Sequence, residues 1–349
     1  MKGFTTDRMH PLLNLLLLVG LIAAGMSVGM FVALAISGAA YGVSFSTLPV
    51  VLSNPSHYSY GWSVLMLMQG LSLLLGFGGG AVGVALVNRQ APVPYFAPRR
   101  PAPFWWLLAA MALILVSIPA LSALVAWNAG VHLPTTFQWL EQKARASEDQ
   151  AQGLTTFLTQ FTTATRFWVA MLVVAVIPAI AEELTFRGIV QRQIIRFTGS
   201  MHWGVWLSAI IFSAVHMQFF GFVPRVVLGV LLGYLYAWSG NILVPMAAHF
   251  AQNALQLIML YYQQHNWTTT LDPDSTEAMP WPYMLVSLGL TAGLIIVLQR
   301  RFAVPIAPPT EMHTLSSKGV AAIDLEVAGA RGRTINSKGI DTSRETAGL

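Results

Sequence analysis

Apolar residues in this chain gather in long unbroken runs, without the alternation of a half-buried strand. The runs near 12–36, 62–87, 104–128 and 282–299 each meet the length of about 20 residues that a helix needs to cross a hydrocarbon core. Four more, near 166–184, 203–220, 224–239 and 242–262, are shorter and are joined by tight turns such as "GFVP" (221–224) and "WSGN" (238–241). The pattern predicts an all-α, polytopic membrane protein with about eight transmembrane helices. The first run follows Lys2 and Arg8 as a signal peptide would, but it is too long for a signal h-region and reads as an anchor that stays.

Two segments outside the runs differ from them. Leu154, Phe157, Leu158 and Phe161 recur at the spacing of one helix face, which fits either an interfacial helix on the outer side or an extension of the 166–184 span. Residues 303–349 contain no aromatic residue after Phe302 and carry scattered Gly, Ser and Thr, so this segment is expected to be disordered. Gly76 with Gly80 and Gly229 with Gly233 have the small-xxx-small spacing that lets helix backbones approach, and are read as packing positions.

Composition agrees with a membrane environment. Of 349 residues 55% are hydrophobic and 9% charged, where a soluble domain carries about 25% charged residues. The 19 basic residues outnumber the 14 acidic ones, yet no basic patch is interleaved with aromatics, so nucleic-acid binding is not expected. Basic residues cluster before the first run (Lys2, Arg8), between the second and third (Arg89, Arg99, Arg100), after the fourth (Arg187, Arg192, Arg196) and after the eighth (Arg300, Arg301). The intervening loops are uncharged, mixed, or acidic through Asp272, Asp274 and Glu277, which predicts that both termini are cytoplasmic. Cysteine is absent, which excludes disulfides, thiolate catalysis and Cys-ligated zinc.

Candidate chemistry lies in a few polar residues placed where a bilayer disfavours them. Among the acidic residues only Glu182 and Glu183 fall in an apolar stretch, "AEELTFRGIV" (181–190). Counting from Phe167, Glu182 lies about 22 Å into the hydrocarbon, where an ionised carboxylate needs a partner or water. Glu183 and Arg187 are four residues apart and predict an ion pair on one helix face, which leaves Glu182 unpartnered in its own helix. Pro178 removes a backbone hydrogen bond just before the pair. Only His216 and His249, of eight histidines, fall well within apolar runs; Phe212 precedes His216 by four residues and Asn253 follows His249 by four. A poorly solvated glutamate can act as general base, a histidine can share its proton, and amide or imidazole N–H groups can stabilise an oxyanion. No nucleophilic side chain belongs to the set, so water is the attacking group and hydrolysis the natural reaction class. A ligand set of Glu182, His216 and His249 for a divalent metal is the alternative chemistry, although no HExxH is present. A transporter or an immunity-type binding protein is the alternative outside enzymes, though no inverted repeat relates the two halves.

Three patterns in order, "EELTFR" (182–187), "FSAVH" (212–216) and "HFAQN" (249–253), match EExxxR, FxxxH and HxxxN. Together they resemble the CPBP family of CAAX-prenyl-protease-2-like and bacteriocin-processing intramembrane endopeptidases, also called the Abi family. The resemblance covers roughly 166–262, and some members are associated with bacteriocin self-protection. It implies that Glu182 activates water with His216 assisting, that His249 and Asn253 form the oxyanion site, and that Glu183 and Arg187 are structural or position the substrate. Phe212 would pack the cavity. It further implies an integral protein of a bacterial cell membrane acting on a peptide or protein, including lipid-modified ones; the loop charges put the site near the cytoplasmic side, and no cofactor is expected unless the divalent-metal alternative holds. The chain then divides into three helices and an outer loop (1–165), catalytic helices (166–262), an outer loop and last helix (263–302) and a tail (303–349). Helical counting sets one condition. His249 lies about 10 Å from the cytoplasmic boundary and His216 about 20 Å, so they meet only if the connection after the fourth span protrudes or the fifth helix tilts strongly.

Overall fold

The computed structural model describes residues 7–99, 102–267 and 275–302, and among these every regular element is helical. The long helices are α1 (Pro11–Tyr41), α2 (Gly61–Val87), α3 (Phe104–Ala129), α4 (Gln138–Leu158), α5 (Ala164–Thr198), α6 (Met201–Ala214), α7 (Phe222–Ser239), α8 (Leu243–Gln264) and α9 (Trp281–Phe302). All but α4 and α6 are long and apolar enough to cross a membrane, and the chain is an integral, multi-pass membrane protein. Lys2, Arg100, Asp272, Asp274 and the segment 303–349, which entered the topology and tail expectations, lie outside the described residues.

The fifth expected span differs most. The run 203–220 forms only the 14-residue α6, which ends at Ala214. At 1.5 Å per residue it rises about 21 Å, short of a core of about 30 Å. Helix α5 supplies the missing length: its 35 residues rise about 52 Å, overshooting the core and starting α6 well beyond it. That length is what the protruding connection required by the helical counting needs. Gly199 turns the chain with φ 69°, and Ser200 caps α6 by accepting the Trp203 N–H.

One end of the bundle gathers the arginines. The Arg196 guanidinium donates to Asp7 and Gln193, Asn88 donates to Asn14 at 2.8 Å, and Asn14 donates to Gln193 at 3.3 Å. Arg99 donates to the carbonyls of Trp238 (2.9 Å) and Phe302 (2.7 Å), which fastens the ends of α7 and α9 to the α2–α3 loop. The N-terminal segment and the end of α9 thus share one face with Arg99, Arg192 and Arg196, as the charge pattern predicts.

At the opposite end α4 is a helix of its own and not an extension of α5. Its last carbonyls and the following strap are held from outside: Trp62 Nε1 donates to Leu158 O (2.8 Å), Gln264 Nε2 to Thr159 O (2.8 Å), and Phe161 N to Gln264 Oε1 (2.9 Å). Leu158 and Phe161 are buried against Trp62, Met171 and Leu257, whereas Leu154 is exposed.

Close packing depends on small residues. A Cβ on Gly76 would stand 2.4 Å from Met26, and one on Gly233 2.9 Å from Gln191 and Val205. Helix α1 contributes Gly29, where a Cβ would stand 2.6 Å from the Leu71 carbonyl oxygen. In α3, Pro119 interrupts the helix, and Ser287 of α9 enters the gap: Ala120 N donates to its Oγ (3.0 Å), which donates to Val116 O (2.5 Å).

Candidate active site

Glu182 and Glu183 stand at the middle of α5, on a nine-residue α segment (Ile177–Thr185) between two π turns, Met171–Val176 and Phe186–Gln191. Such wide turns occur often at functional sites. Pro178 has no N–H for the carbonyl four residues before it, that of Val174. Asn253 Nδ2 donates to this oxygen at 3.4 Å, so the proline and the motif asparagine meet at one backbone atom.

The two glutamates have different surroundings. Glu183 is fully buried; its Oε1 accepts from Arg187 Nη1 at 2.8 Å and from His249 Nδ1 at 2.8 Å. Its Oε2 is buried without a hydrogen bond. Arg187, 1% exposed, also donates to Gly229 O at 3.1 Å and lies 4.6 Å over the Phe212 ring. The ion pair expected at i,i+4 is thus formed, and it has a third member in His249. The Glu182 side chain makes no hydrogen bond among the described residues; its Oε2 lies 3.9 Å from His249 Nε2. The His249 ring therefore stands between the two acids, its Nδ1–H given to Glu183 and its Nε2 turned toward Glu182.

His216 lies in the turn after α6 rather than within a helix. It ends that helix by donating Nδ1–H to the Phe212 carbonyl at 2.7 Å, which leaves Nε2 with a free lone pair in the neutral ring. Phe212 links the parts, with its ring 5.0 Å from His216 and 6.1 Å from His249, both edge-on. The i,i+4 pairing read from the sequence survives as this contact although the helix has ended.

Phe212, His216, His249 and Asn253 line one cavity of about 190 Å³ together with Ile114, Arg225, Leu228, Leu232, Gln252 and Gln256. Glu182 is not in this lining and reaches the cluster through His249. Along α7 and α8 the lining runs from the level of the Glu pair toward Arg225 and Gln256, away from the arginine-rich end. Arg225 and Gln252 are not singled out by the motif reading. The signal for Arg225 was in plain view, since it is the single charged residue within "FVPRVVLGVLLGYLYAWS" (222–239). Among the described residues no three His, Asp or Glu side chains are arranged to hold a metal ion.

Residues 164–255 match the family described as "Type II CAAX prenyl endopeptidase Rce1-like". A Bacillus subtilis (strain 168) protein described as "Uncharacterized protein YpbD" is 37% identical over 81 residues. That match covers 22% of this chain and 38% of the relative. No solved structure matches the chain. Over 164–255, the stretch that holds all three motifs, the chain resembles the Rce1-like type II CAAX prenyl endopeptidases, in agreement with the CPBP resemblance of its sequence.

Proposed function

We propose that this chain is an intramembrane endopeptidase that hydrolyses a peptide bond with water activated by Glu182. The observation that carries the proposal is the His249 arrangement: one ring nitrogen held by buried Glu183, the other facing Glu182 at 3.9 Å, at the wall of a cavity lined by polar and apolar side chains together. Glu183 then acts as Arg187's counterion and as the group that sets the His249 ring.

In this reading Glu182 takes a proton from water as the water oxygen attacks the scissile carbonyl carbon. His216 Nε2 accepts the water's second hydrogen bond and orients it. The oxyanion of the tetrahedral intermediate receives the second Asn253 amide hydrogen, and His249, held through Nδ1 by Glu183, completes the oxyanion site. Collapse breaks the C–N bond while the Glu182 carboxylic acid returns its proton to the leaving nitrogen. Water addition and amine loss balance with no oxidant, reductant or cofactor.

The family description names prenyl endopeptidases, which supports a peptide or protein substrate and makes a lipid-modified one a natural candidate. The basic clusters of the loops favour a reaction near the cytoplasmic side, whereas the cavity lining runs toward the opposite end of the bundle. Adding substrate to one face of oriented proteoliposomes identifies the side of entry. The activity itself is tested by incubating purified protein in such vesicles with membrane extracts after exhaustive chelation. Cleavage that survives chelation and is lost in Glu182→Gln supports a Glu-activated water; loss on chelation with recovery on adding zinc transfers the reaction to the metal reading.

A further inference from the structure

Arg225 is a cation near the N-terminus of α7, where the helix dipole disfavours positive charge. Its Nη2 donates to Gln218 Oε1 at 2.5 Å, while its Nη1 is buried and makes no hydrogen bond. No carboxylate of the described residues forms an ion pair with it; Glu182, facing His249, and Glu148, which accepts the Phe220 N–H at 2.7 Å, are the acids that act on it through space. Arg225 lines the same cavity as His216, His249 and Asn253. Gln252, on α8, lines the cavity too, and its Oε1 is a buried acceptor that also lacks a partner. A buried donor with charge and a buried neutral acceptor are both costly when empty. A peptide fits both: a carboxylate for Arg225 and a backbone N–H for Gln252.

We propose that Arg225 determines specificity by receiving a substrate carboxylate in the cavity beside His216, so that the protein selects peptides bearing a negative charge near the scissile bond. This rests on the hydrolase reading above for its cleavage arm and on geometry alone for its binding arm. The carboxylate is a free C-terminus or an acidic side chain, both of which present the paired oxygens that a guanidinium accepts. Arg225 positions the substrate and takes no part in proton transfer.

The test uses degenerate apolar hexapeptides in three forms: free acids without Asp or Glu, C-terminal amides without Asp or Glu, and C-terminal amides with one Asp or Glu. Cleavage by the wild type in bicelles is read by mass spectrometry, and binding to Glu182→Gln by tryptophan fluorescence. The expected result is a KM or Kd about 10- to 100-fold lower for one carboxylate form than for the uncharged amides. Arg225→Gln should erase that preference, weakening the carboxylate forms more than the uncharged amides, and Arg225→Lys should retain part of it. Preference for the free acids assigns the C-terminus, and preference for the acidic amides assigns a side chain. Equal handling of all three forms, or equal loss of all three in Arg225→Gln, overturns the assignment. Carboxylate-dependent binding with no cleavage of any peptide leaves Arg225 standing and contradicts the hydrolase reading; cleavage without carboxylate preference does the reverse. A wild type and a Glu182→Gln protein that neither cleave nor bind any form overturn both.

Discussion

Replacing Glu183 by glutamine separates the two adjacent acids most sharply. The Glu183–Arg187 pair is 0% and 1% exposed, so the guanidinium left behind has no water to turn to. Breaking a buried ion pair by removing one partner costs about 3–5 kcal/mol. At about 1.4 kcal/mol per factor of ten, the folded-to-unfolded ratio falls by about two to three and a half orders of magnitude. His249 Nδ1 also exchanges a charged acceptor for a neutral one, so activity falls together with stability. Removing Arg187 as well, in Glu183→Gln/Arg187→Met, eliminates the orphan charge, and the double mutant should be more stable than the sum of the singles by a few kcal/mol. Glu182→Gln breaks no side-chain hydrogen bond among the described residues, only the 3.9 Å approach to His249, and should leave stability near wild type. The assay is reversible unfolding by SDS titration in mixed micelles, run in parallel for the wild type, Glu182→Gln, Glu183→Gln, Arg187→Met and the double mutant. Equal destabilisation by the two single Glu→Gln changes, or a Glu183→Gln protein as stable as wild type, would refute the division of labour.

Three further expectations follow from local geometry. Asn253→Ala removes one oxyanion donor and should lower kcat by about 100- to 1000-fold with KM little changed; a change in KM alone would place Asn253 in substrate binding instead. Gly29→Ala puts a methyl 2.6 Å from the Leu71 carbonyl oxygen and should destabilise by about 1–3 kcal/mol, whereas Gly20→Ala, with nothing within 4 Å, should be neutral in the same unfolding assay. Glu141, at the start of α4, is held down from 4.5 to about 2 by the Leu133 N–H, His132 and Arg145. Because its folded value is the lower one, its contribution is complete above about pH 4.5 and fades as pH falls toward 2. Pepsin cleavage within residues 131–158 should therefore rise across that window in wild type, while Glu141→Gln should already be cut at pH 5; parallel profiles would contradict this.

Much of this architecture is legible in the sequence because a bilayer imposes a single strong pattern. The runs at 12–36, 62–87 and 104–128 fall within or nearly coincide with α1, α2 and α3, since helix length there is set by hydrocarbon thickness. Glu183 with Arg187 was readable because an i,i+4 ion pair needs no tertiary information. What escaped were features fixed by contacts between distant segments. The end of α6 at Ala214 depends on where α5 delivers the chain, and hydropathy continues past it through Val215, Phe219 and Phe220. Helix α4 begins at Gln138 in a stretch rich in charge, which apolar runs do not mark, and its separation from α5 depends on Gln264, more than a hundred residues away. His249 lies at helical spacing from Asn253, but its hydrogen bond goes to Glu183 and not to the unpartnered Glu182, a choice that only packing decides. The vacant donor on Arg225 is invisible without coordinates, because a partner's absence is a property of three dimensions.

The central claim is that Glu182 makes this protein a peptidase, and it is tested most directly by comparing peptides from membranes that contain the wild type or Glu182→Gln at equal abundance and equal stability. The account predicts new peptide termini that appear with the wild type and are missing with Glu182→Gln; identical sets of termini from the two membranes would contradict it.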